Sequence, residues 1–125
     1  MEITLNHTII PARNNVKSAR LYEKIFGFEY IKEWGAFAVI KVNESLTFDF
    51  MNKDNFIPLH YAFKVTDKQF DNIFARVKSE GLEFGSGPDK LTDGEINHNY
   101  GGRGVYFTDL DGHVLEIITT DYVLD

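Results

Sequence analysis

Apolar positions recur along the chain with two periods, and the switches between those periods outline its elements. Residues 3–10 read as a strand that Pro11 is expected to end, after which Asn14 and Asn15 offer caps for a helix. In that helix Val16, Ala19, Tyr22, Ile25 and Phe26 fall on one face, and Gly27 is placed to stop it. Three short strands are expected next, over 29–33, 36–42 and 46–51, separated by Gly35 and by the turn pair Asn43 and Glu44. The last of them alternates cleanly. Leu46, Phe48 and Phe50 share one face and Thr47, Asp49 and Met51 the other, as in a sheet packed on one side and wetter on the side of Asp49.

After a linker at 53–57 the pattern starts again. A strand is expected over 58–65, with Tyr61, Phe63 and Val65 opposing His60, Ala62 and Lys64. Thr66 and Gln69 form a capping box, Phe70, Ile73, Phe74 and Val77 are spaced as a buried stripe, and Gly81 should end the helix. His7 precedes Gly27 by nearly the span that separates His60 from Gly81, so the two halves read as an internal repeat. The second half closes on a strand at 105–108, a tight turn on Asp109, Leu110, Asp111 and Gly112, and a strand at 113–119. The fold class is therefore α+β, a single domain of two βαβββ modules covering about residues 1–52 and 58–120. The glycine-rich segment 85–104 carries only a weak strand signal around 91–96, and its length suits a lid.

Composition narrows the chemistry. At 125 residues, 43% hydrophobic and 26% charged, the chain can bury one core. A net charge of −6 without basic clusters argues against nucleic acid and anionic membrane as partners. The chain offers neither a signal peptide nor a membrane-length apolar run, and a cytoplasmic location is the expectation. There is no cysteine, which excludes disulfides, thiolate metal sites and a cysteine nucleophile. Any metal site must use His, Asp or Glu.

Glu116 is the residue that points to such a site. It lies among Val114, Leu115, Ile117 and Ile118, where an ionised carboxylate is costly unless something positive compensates it. His7 and His60 open equivalent halves of the repeat and, like Glu116, are read as mid-strand residues able to face one cavity. Two imidazoles and one carboxylate suit one divalent ion, Mn, Fe, Ni or Zn, with positions left open for water or substrate. Each residue alone would be read as packed or solvated; together they would require three coincidences. His113, beside the turn and on the opposite parity to Glu116, is read as a turn histidine.

The segments LNHTIIPARNNVKSARLYEKIFGF, LHYAFKV and YFTDLDGHVLEI resemble the vicinal oxygen chelate superfamily, which includes glyoxalase I, bleomycin-resistance proteins, fosfomycin-resistance thiol transferases and extradiol dioxygenases. The resemblance implies a U-shaped mixed sheet around a metal-lined cavity, helices on the outer face, a homodimer, and His7, His60 and Glu116 as ligands. It leaves three functions open. One is a glyoxalase-like lyase or isomerase, or a thiol transferase, acting on a small molecule that chelates the metal through neighbouring oxygens, with Asp49 as base or fourth ligand. Another is an extradiol-type Fe(II) dioxygenase, in which His98 and Tyr106 would assist. The third is a bleomycin-resistance-like sequestering protein with an acidic, aromatic groove. Trp34, Tyr100 and Arg103 are the expected substrate contacts.

Overall fold

The computed structural model describes residues 2–124, which divide into two compact units with the boundary between Ile57 and Pro58. Unit one runs β1 (His7–Ala12), α1 (Asn15–Phe26), β2 (Glu29–Trp34), β3 (Phe37–Asn43) and β4 (Leu46–Asn52). Unit two runs β5 (His60–Lys64), α2 (Asp67–Ser79), β6 (Phe84–Gly85), a 3-10 turn (Asn99–Gly101), β7 (Gly104–Thr108) and β8 (Val114–Ile118). The strand order is β1-β4-β3-β2 in one sheet and β5-β8-β7-β6 in the other, so the repeat in sequence is a repeat in topology. In each unit the first strand pairs parallel with the last, and the remaining pairs are antiparallel. These are the two βαβββ modules expected.

In unit one the helix start is fixed by Asn14, whose side chain accepts from the Lys17 amide, and its end by Gly27 at φ 78°. Its buried face, Ala19, Tyr22 and Ile25, belongs to the same core as Ile10, Ala38, Ile40, Phe48 and Phe50. Tyr22 meets Phe50 and Phe48 edge-on, at centroid separations of 4.9 and 6.2 Å. In unit two, Thr66 and Gln69 make the capping box. Phe70, Ile73 and Val77 are buried, as are Val105, Phe107, Leu115 and Ile117, and Phe74 packs edge-on against Phe84 at 4.9 Å. No helix among the described residues is long and apolar enough to cross a membrane.

Three sequence expectations need correcting. The first strand does not occupy 3–10: it begins at His7 and runs through Pro11 to Ala12. Proline is tolerated there because β1 is an edge strand, and a missing amide on an open edge leaves no ladder bond unmade. The fifth strand begins at His60 rather than 58, so both histidines stand at the first position of their strands, not in the middle. No strand forms at 91–96.

The segment after β6 is instead built around Asp93. Its carboxylate accepts from the Ser86 hydroxyl at 2.5 Å and from the amides of Ser86 and Glu95, both at 3.0 Å. Gly85 lies so close to the Lys90 carbonyl that a Cβ would overlap it. The hydrogen bond from Ser86 is the main reason the Asp93 carboxyl is held below the usual aspartate value. A depressed value contributes stability above the unfolded value near 3.8 that is lost as pH falls through the folded one. The Ser86 and Glu95 amide resonances should therefore titrate together with a midpoint below 3.8; a midpoint at or above it would contradict this anchoring.

Candidate metal centre

Parallel pairing of β5 with β8 sets His60 opposite Val114, and antiparallel pairing of β7 with β8 sets Tyr106 opposite Glu116. The side chains of His60, Tyr106 and Glu116 converge as a result. His60 Nδ1 lies 3.0 Å from the Val114 carbonyl oxygen, which can only accept, so Nδ1 carries the proton. In the neutral ring Nε2 then presents a lone pair, 3.2 Å from Glu116 Oε1. Glu116 is 1% exposed, and Oε1 has no hydrogen-bond partner among the described residues. The short separation is thus a lone pair facing a carboxylate oxygen, an arrangement that requires a cation between them, either a proton on the imidazole or a metal ion.

The other carboxylate oxygen is satisfied. Glu116 Oε2 accepts from the Tyr122 hydroxyl at 2.6 Å. The Tyr106 hydroxyl interacts with Tyr122 and Glu116, and its ring lies nearly parallel to His60 at 14°, with centroids 6.1 Å apart. Burial, reinforced by these acidic partners, pushes the Tyr106 phenol well above its ordinary value of 10.0, and the hydrogen bond to Glu116 raises that of Tyr122. Both stay protonated donors at neutral pH.

His7 stands in unit one. Its Nδ1 bonds the Asn6 side-chain oxygen at 2.8 Å, leaving Nε2 as the lone pair, the same tautomer that Val114 imposes on His60. It lines a hollow with Asn6, Trp34, Val39, Thr47 and Asp49. Asp49 accepts from the Thr47 hydroxyl at 3.0 Å and is only 8% exposed, less wet than its place on the polar face suggested, whereas Trp34 is 64% exposed.

The Glyoxalase/Bleomycin resistance protein/Dioxygenase superfamily model matches residues 4–117. The chain belongs to this superfamily, the vicinal oxygen chelate group. Among solved structures it is similar to oxidase ChaP-H2, at 41% identity and a TM-score of 0.93, covering 98% of this chain and 97% of that one. Oxidase ChaP-H1 is 44% identical with a TM-score of 0.91, over 97% of this chain and 98% of that one. Metallothiol transferase FosB of Staphylococcus epidermidis is 27% identical over 123 residues, 92% of this chain and 82% of its own length.

The remaining residues singled out from the sequence are spread differently. Tyr100 and Arg103 line a crevice beside Glu116 together with Asn97, Asn99 and Tyr122. Arg103 is also engaged elsewhere: its guanidinium bonds Asp71 at 2.7 Å and Asp67 at 3.1 Å, and the bond to Asp71 holds it more firmly charged than usual. His98 is exposed at the start of the 3-10 turn and does not line that crevice.

His113 is fully buried and has a structural partner. Its Nδ1 accepts from the Leu59 amide at 2.8 Å, while Asp109 Oδ1 accepts from the Asp111 and His113 amides at 2.9 Å each. Asp109, Asp111 and His113 bring ligand-type atoms within 4.8 Å of one another. With Nδ1 spent on Leu59, however, the neutral imidazole carries its proton on Nε2 and offers no lone pair to an ion. The group locks the β7–β8 turn, as expected of a turn histidine. Tyr122 was missed from sequence because it follows the last strand, where neither alternation nor a motif marks it.

Proposed function

We propose that this protein is a divalent-metal-dependent enzyme of the oxidase type, with His60, Glu116 and His7 as ligands and a substrate that chelates through neighbouring oxygens. The observation that carries the metal reading is the buried, unpartnered Glu116 Oε1 facing the His60 lone pair. His7 is assigned as the third ligand because it holds the equivalent first position in its module, with the same tautomer fixed by a neighbour. The oxidase reading draws on the likeness to two oxidases at above 40% identity over nearly the whole chain. When bound, a divalent ion supplies positive charge at the substrate's oxygens and, where redox-active, a route for electrons from substrate to dioxygen.

The protein's own groups have definable parts. The Val114 carbonyl holds His60 in its ligating tautomer, and the Tyr106 ring lies against the imidazole face. The Tyr106 phenol, kept neutral by burial, adds no second negative charge beside Glu116. Asp49, whose carboxylate accepts from Thr47 in the hollow it shares with His7, is assigned as the base, and the exposed Trp34 in the same hollow as a substrate contact.

The test is a comparison of metals. Protein reconstituted in turn with Fe, Mn, Ni or Zn is screened against catechols and other vicinal-oxygen compounds with an oxygen electrode. Oxygen uptake should occur with Fe or Mn and not with Zn. Turnover equal with Zn, or thiol transfer without oxygen uptake, would overturn the oxidase reading.

A further inference from the structure

We propose that Tyr122 is a positioning residue that reserves one oxygen of Glu116, so that the carboxylate meets the metal through Oε1 alone. The inference rests on the metal reading above and extends it to a residue outside the ligand set. The phenol takes Oε2 at 2.6 Å, while Oε1 keeps no hydrogen-bond partner among the described residues and faces His60 Nε2. A carboxylate of which one oxygen is bonded and the other bare is oriented for one-oxygen ligation, and every second oxygen kept off the ion leaves a coordination position for a chelating substrate.

The chain after β8 is built to deliver that hydroxyl. The Thr119 amide donates to the Arg103 carbonyl at 3.0 Å, and Thr119 Oγ1 accepts from the Arg103 amide at 2.9 Å. Lys64 pairs with Asp121 at 3.0 Å. Gly102 approaches so closely that a Cβ there would stand 2.7 Å from Thr119 Oγ1. Tyr100, a non-glycine residue held at φ 57°, places its ring 5.2 Å from that of Tyr122. A strained tyrosine, a close glycine contact and two hydrogen bonds between Thr119 and Arg103 therefore converge on the placement of one hydroxyl.

The experiment uses Tyr122→Phe, which keeps the ring against Tyr100 and removes only the hydroxyl, with Mn(II) and Co(II) alone as probes. Mn(II) affinity should fall by about 10–100-fold, the usual consequence of losing a partner that orients a ligand. The visible spectrum of the Co(II) form should lose intensity as the released carboxylate binds through both oxygens and raises the coordination number. The melting temperature of the metal-free protein should stay near wild type, separating positioning from a merely structural role. Unchanged affinity with an unchanged Co(II) spectrum would overturn the inference and leave the metal reading standing. Tighter Mn(II) binding would also overturn it, because the phenol would then be obstructing the ion. A wild-type protein that takes up neither ion would overturn the metal reading and this inference with it.

Discussion

Glu116→Gln is expected to abolish the metal-dependent part of the protein's stability while leaving the metal-free protein at least as stable as wild type. Glutamine fills the same volume. Its amide oxygen can still accept from Tyr122, and its NH2 can donate to the His60 lone pair that Oε1 now faces. A desolvated charge with one bare oxygen is thereby exchanged for a neutral group with both ends satisfied, a change that favours the metal-free fold. A divalent ion loses its anionic ligand in the same step. Wild type at a hundredfold excess of ion over its dissociation constant should gain about 2.7 kcal/mol, and the variant should gain almost none. Thermal melts with and without metal read both effects. A variant that melts well below metal-free wild type, or keeps the metal-induced rise, would contradict the assignment of Glu116.

The second large effect is structural. Phe50→Ala should destabilise the protein by about 3–5 kcal/mol, the range for removing a fully buried phenylalanine. Phe50 is 0% exposed on β4 and meets Tyr22 of α1 at 4.9 Å, so its removal opens a cavity at the helix–sheet junction of unit one. The loss is read as a lowered urea midpoint or a fall in melting temperature of roughly 10–20 °C. A loss under about 1 kcal/mol would mean that α1 collapses into the gap.

Much of the fold was legible in the sequence because local signals and tertiary packing agree. The face of α1 written by Ala19, Tyr22 and Ile25 is the face that is buried, and Asn14, Gly27, Thr66 and Gln69 cap the helices as their chemistry requires. The errors lie where pattern carries no tertiary information. Pro11 reads as a strand stop unless β1 is known to be an edge, and 91–96 reads as a weak strand because nothing in its periodicity announces that Asp93 will recruit Ser86 and Glu95.

The candidate site divides in the same way. Glu116 and His60 could be picked out because a carboxylate in an aliphatic strand and a repeated histidine are visible without coordinates. Their mutual distance, the bare Oε1 and the bonded Oε2 depend on register and on Tyr122, and those come only from the structure.

The most direct test of the central claim is the metal content of the protein after reconstitution, without chelator, with Mn, Fe, Ni or Zn. Wild type should hold about one ion per chain, as expected for a site with two imidazoles and one carboxylate, and His60→Ala and Glu116→Gln should hold almost none. A wild-type protein that retains none of these ions, or variants that retain as much as wild type, would show that the cation between His60 and Glu116 is a proton and would contradict the account.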